Sequence, residues 1–93
     1  GIKMKKGDII SVITAAGEFV GKFEDESASK LTLKDPRMVI QTQEGMGFAR
    51  GVCVTGEENP NSMAFYTGGI VFTAPSNDSI EKAYREAVSG LIL

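Results

Sequence analysis

Ninety-three residues, 42% of them hydrophobic and 24% charged, make one globular domain with a modest core, too small to hold a cofactor fold beside a substrate domain. Ten basic residues against twelve acidic ones, a net charge of −2, argue against a monomer that grips nucleic acid by bulk charge. The chain has no histidine, so the usual general base and the commonest metal ligand are missing, and no hydrolase or metalloenzyme chemistry, metal or cofactor is expected.

Asp8 to Thr14 is β-branched and apolar and reads as the first strand, with Ala15-Ala16-Gly17 as the turn out of it. Glu18 to Glu24 alternates, placing Phe19, Gly21 and Phe23 on one face, so a glycine stands where a packed aromatic is expected and the strand is free to bend. Asp25 to Ser29 is a polar connection, and Lys30 to Lys34 alternates again with Leu31 and Leu33 inward. Asp35-Pro36 breaks this three-strand meander with a bulge or bend, because proline has no amide hydrogen to donate, and pairing is expected to resume from Arg37 to Gln43.

Glu44-Gly45-Met46-Gly47 reads as a turn, Phe48 to Thr55 as a returning extended segment, and Gly56 to Asn61 as an exposed loop. Residues 37–61 thus form an inserted hairpin. Cys53 sits between Val52 and Val54, which suits a small packed hydrophobe in a strand. Met63 to Tyr66 and Ile70 to Thr73 are short strands separated by Thr67-Gly68-Gly69, which leaves room only for a sharp corner. Pro75 ends the β region. Ser76 or Asp78 is positioned to cap a helix whose apolar residues Ile80, Ala83, Tyr84, Ala87 and Val88 share one face. Asp78 with Lys82 and Glu81 with Arg85 have ion-pair spacing, and Gly90 stops the helix before the apolar tail Leu91-Ile92-Leu93. The expected division is a β unit over 2–75 and a helix with its tail over 76–93, packed on that unit or on a neighbour. Gly1, where a starting methionine is expected, reads as an expression remnant.

Several motifs fail on context. Gly45-x-Gly47-x-x-x-Gly51 runs into an apolar strand rather than opening a helix, so it is a turn and not a dinucleotide fingerprint. Glu24, Asp25 and Glu26 alternate sides on an extended segment and have no matching ligand loop, which leaves them a solvated acidic patch. Asn77-Asp78-Ser79 matches a glycosylation acceptor but reads as a helix start. The lone Cys53 allows no internal disulfide, and with no basic-then-apolar leader and no apolar run of about twenty residues the chain is expected to be cytoplasmic, with no membrane partner.

Two stretches carry a family resemblance. The first strand, the turn at Gly17, Gly21, Phe23 and Leu31-x-Leu33-x-Asp35 resemble the first motif of the Sm-like (LSm/Hfq) family. Phe65-Tyr66-Thr67-Gly68-Gly69-Ile70-Val71-Phe72-Thr73-Ala74-Pro75 resembles the fourth strand, corner and fifth strand of its Hfq branch. A rival register exists, because Phe48-Ala49-Arg50-Gly51-Val52 is similar to the apolar-Arg-Gly signature of the eukaryotic and archaeal branch. The wording from Asp35-Pro36-Arg37-Met38 through Thr55-Gly56-Glu57-Glu58-Asn59-Pro60 also resembles small uncharacterised proteins of marine cyanophages, so the cytoplasm would be that of an infected bacterium.

The resemblance implies a small open barrel of five strongly bent antiparallel strands, with an enlarged loop over residues 36–61 between strands three and four and a C-terminal helix. It also implies a homo-oligomeric ring of about five to seven copies, in which one weak contact per subunit is multiplied around a pore. The expected ligand is single-stranded RNA, or else single-stranded DNA, bound without catalysis. By resemblance Ser27, Ser29 and Lys30 of one loop and Tyr66, Thr67 and Gly68 of the last corner would line the pore, with Lys30 on phosphate and Tyr66 stacking a base. Arg50 is a secondary candidate. The alternative is a structural or adaptor ring that makes protein contacts and binds no nucleic acid.

Overall fold

The β-branched run IISVIT forms β1 (Ile9–Thr14), which turns through Ala15 and Ala16 into β2 (Gly17–Glu26). The Thr14 hydroxyl closes that turn, accepting from the Ala16 and Gly17 amides at 3.1 and 3.2 Å and donating to the Gly17 carbonyl at 2.9 Å. The computed structural model describes residues 4–89. The expected helix stop at Gly90 and the tail Leu91-Ile92-Leu93 lie outside the described residues.

Asp35-Pro36 bends the third strand without ending it: β3 (Lys30–Thr42) is continuous. Its ladder with β2 passes from Val20↔Arg37 to Lys22↔Lys34, so Gly21 alone faces Asp35 and Pro36. This is a β-bulge, with Asp35 at a φ of +50°. It shifts the side-chain parity by one, so Leu31 and Leu33 before it and Pro36 and Met38 after it all turn inward. Gly21 lets β3 approach closely here. A Cβ on it would lie 3.0 Å from Leu33 Cβ and 3.3 Å from the Lys34 carbonyl.

A bulge strands backbone polar groups, and each must find a partner elsewhere. The Asp35 amide donates to the Asn61 carbonyl at 2.8 Å. The hydroxyl of Tyr84 donates to the Asp35 carbonyl at 2.7 Å, with the Lys34 carbonyl at 3.3 Å. Lys22 Nζ lies 3.4 Å from the Asp35 carboxylate. Burial, and then the negative charge of Asp35, push the Tyr84 phenol up to about 12.

The middle of the chain departs from expectation. The turn is Gln43-Glu44, closed by the Thr42 hydroxyl, which donates to the Gly45 carbonyl at 2.8 Å and accepts from the Glu44 amide at 3.2 Å. Gly45-Met46-Gly47-Phe48 is therefore a strand, β4 (Gly45–Phe48), paired with the far end of β3. The segment expected to be extended from Phe48 to Thr55 leaves the sheet after the Ala49 amide bonds the Met38 carbonyl at 2.8 Å. Gly51, at a φ of +88°, turns it back against Glu57 and Glu58. Cys53 is accordingly exposed in a loop and is not a packed strand residue.

β5 (Ser62–Tyr66) pairs with the first half of β3, a 3-10 turn over Thr67–Gly69 makes the corner, and β6 (Ile70–Pro75) pairs with β1. The result is an open antiparallel sheet of six strands, ordered β4-β3-β2-β1-β6 with β5 also on β3. The sixth strand is the arm that β4 makes within the expected enlarged loop. β5 and β6 meet at the corner but share no ladder, so the sheet curls without closing.

Inside the curl lie Ile10, Val12, Phe19, Leu31, Leu33 and Phe65, with the Phe19 and Phe65 rings edge to face at 5.1 Å. Each such burial contributes about 1.5–3 kcal/mol. The helix α1 (Asp78–Ser89) packs Ile80, Tyr84 and Val88 on the opposite face of the sheet, against Ile9, Val20, Val39 and Phe48. Its cap is Asn77 and neither Ser76 nor Asp78: Asn77 Oδ1 accepts the Ile80 amide at 2.9 Å, which is N-cap geometry to the third helical residue. Of the two expected helix ion pairs only Glu81–Arg85 forms, at 3.0 Å.

Candidate nucleic-acid interface

The turn from β2 to β3 is built by its serines. The Ser27 amide donates to the Lys30 carbonyl at 2.8 Å, and the Ser27 hydroxyl accepts from the amides of Ser29 and Lys30, both at 3.3 Å. Ser27 Oγ also lies 3.4 Å from Ser29 Oγ. Ser27 thus spends its acceptors on its own backbone and acts as a turn former. Lys30, the first residue of β3, stands exposed beside it with no ion-pair partner among the described residues.

The corner from β5 to β6 lies against this turn. Lys30 is the register partner of Tyr66, and the Thr67 amide donates to the Ser29 carbonyl at 2.9 Å. Six of the candidate residues, Ser27, Ser29, Lys30, Tyr66, Thr67 and Gly68, therefore gather at one end of the sheet. Tyr66 is 64% exposed. Gly68 and Gly69 need neither a positive φ nor extra room, because a Cβ on either would meet nothing within 4 Å. They leave bare backbone facing open space. Arg50 is not part of this group: it follows the Ala49–Met38 contact farther along β3 and faces Glu58 at 3.8 Å, both side chains well exposed.

Beside the corner opens an apolar cleft of about 380 Å³. Ala15 and Ala16 of the first turn line one side, and Phe65, Tyr66, Gly69 and Ile70 the other. Local sequence patterns do not point to it, because it joins two turns far apart in the chain. β5 and β6 each use one edge for pairing and leave the other free. On β6, Val71 is 67% and Phe72 55% exposed; neighbours on a strand point to opposite faces, so this edge is bare on both.

A cation, an exposed aromatic ring and hydroxyls are kinds of group that can grip phosphate and stack a base. Among the described residues no Cys, Asp and Glu side chains gather to hold a metal ion, and no helix is long and apolar enough to cross a membrane. No family model and no curated protein matches the chain.

Proposed function

We propose that the chain is an Sm-like subunit that assembles head to tail into a ring of about five to seven copies and binds single-stranded RNA, or single-stranded DNA, without catalysis. The observation that carries this reading is the Lys30–Tyr66 register pair, locked by the Thr67-to-Ser29 backbone hydrogen bond, which sets a cation and an aromatic ring side by side at the mouth of the sheet. Strand order supports it as well. Without the β4 arm, five strands remain, and the last two flank a three-residue corner at Thr67–Gly69, as the later of the two family registers requires.

Assembly follows from edge chemistry. A free β6 edge with Val71 and Phe72 exposed is a liability on a monomer, and pairing it with the free β5 edge of the next copy removes it. Different edges on the two partners make a heterologous contact, which closes into a ring when the rotation allows. A ring brings the Lys30–Tyr66 groups around one axis, so a net charge of −2 per chain does not prevent binding.

Fluorescence anisotropy with short single-stranded oligonucleotides over a salt series tests the reading. Binding should weaken with salt, and Lys30→Ala should both reduce affinity and flatten the salt dependence, by about 0.7 in log–log slope for each phosphate that is no longer neutralised. Tyr66→Ala should weaken binding by about 1–3 kcal/mol with the salt slope unchanged. No binding at low salt and micromolar protein contradicts it and leaves the adaptor ring as the surviving alternative.

A further inference from the structure

The alternation that buries Leu31 and Leu33 turns Lys30, Thr32 and Lys34 to the outer face of β3. Across the ladder, their partners on β5 are Tyr66, Ala64 and Ser62, likewise outward because Met63 and Phe65 face the core. Antiparallel partners share a face, so the two strands form one continuous outer strip with a lysine at each end and a tyrosine at the corner. β5 itself, Ser62–Tyr66, contains no acidic residue. Lys30 and Lys34 are exposed and form no ion pair among the described residues, whereas Lys22, the β2 partner of Lys34, is committed to Asp35 at 3.4 Å.

We infer that single-stranded nucleic acid bound at the corner continues along this outer strip of β3 and β5, with Lys34 as a second phosphate contact beyond Lys30. The inference rests on the binding reading above and adds a path to it. Lys30 to Lys34 spans about 13 Å of strand, enough to extend the contact by a few nucleotides. Thr32 and the small Ala64 between the lysines, with Ser62 across from Lys34, leave the strip low enough for a backbone to lie on it. The strip ends at the bulge, where α1 arrives and Tyr84 bonds the Lys34 and Asp35 carbonyls. On the β2 side Asp25 is the register partner of Thr32, so its carboxylate borders the path and opposes the ligand, while the Asp35 carboxylate near the Lys34 end is held by Lys22 at 3.4 Å.

The test compares oligothymidylates and oligouridylates of about four and about sixteen nucleotides by anisotropy over a salt series, with protein variants checked for unchanged circular dichroism. Lys34→Ala should lower affinity for the long strands several-fold and flatten their salt slope by about 0.7, with the short ones unaffected. Lys34→Arg should bind like the parent. Asp25→Asn, which keeps the side-chain oxygen that accepts the Glu26 amide at 2.9 Å, should bind the long strands more tightly, a gain that misfolding cannot imitate. If Lys30→Ala weakens the long strands and Lys34→Ala does not, or if Lys34→Ala weakens both lengths alike, the path is wrong and the corner site stands. If the parent protein binds no strand, both fall together.

Discussion

Gly21, Asp35 and Tyr84 form one unit drawn from three elements. The missing side chain at Gly21 lets β3 approach, the left-handed Asp35 absorbs the extra residue, and the Tyr84 hydroxyl accounts for the carbonyls that the bulge strands. Gly21→Val should therefore destabilise the protein by about 2–3 kcal/mol, read as a lower urea midpoint, since the added atoms crowd the Leu33 side chain and the Lys34 carbonyl. An unchanged midpoint would mean that β3 moves away freely. Tyr84 makes a second prediction. Its phenol is raised from 10.0 to about 12 in the folded chain, so the folded state holds the proton more tightly than the unfolded one. The stabilisation is complete below pH 10 and is lost as pH climbs through about 12, amounting to about 3 kcal/mol. Ultraviolet titration in a Tyr66→Phe background, where Tyr84 is the remaining phenol, should place the tyrosinate transition near 12, and a transition near 10 would contradict it.

At the level of elements, the free edges of β5 and β6 let the proposed assembly be tested apart from folding. Phe72→Glu should leave the fold intact, because the ring is 55% exposed and outside both core clusters, yet it should shift light-scattering mass toward a monomer of 9.9 kDa. An oligomer unchanged by this substitution would place the interface elsewhere. Legibility in the sequence also varies by element. The meander of β1, β2 and β3 follows from alternation and from Asp35-Pro36, and α1 follows from its apolar stripe. The β4 arm is hidden because Gly45 and Gly47 look like a turn, while the actual turn is set by one hydroxyl, that of Thr42. Val52-Cys53-Val54 has strand propensity that Gly51 overrides by turning the chain. Asn77 is legible as a helix start, but its role as the cap depends on which side-chain oxygen reaches the Ile80 amide.

For the molecule as a whole, the candidate site depends on a contact that local patterning does not supply. Ser27 to Lys30 and Tyr66 to Gly68 stand out in the sequence through family resemblance, and the β3–β5 ladder brings them together across the intervening arm and loop. Arg50, the candidate of the rival register, is left apart because the arm carries it down β3. The proposed function joins the open sheet, the free β5 and β6 edges and the Lys30–Tyr66 corner in one reading, a closed ring that holds a strand at repeated sites. Native mass spectrometry of the protein mixed with a single-stranded oligonucleotide measures both halves of that claim at once. The account predicts a single assembly of about five to seven copies carrying one strand. A spectrum of 9.9 kDa monomers with no strand attached would contradict it.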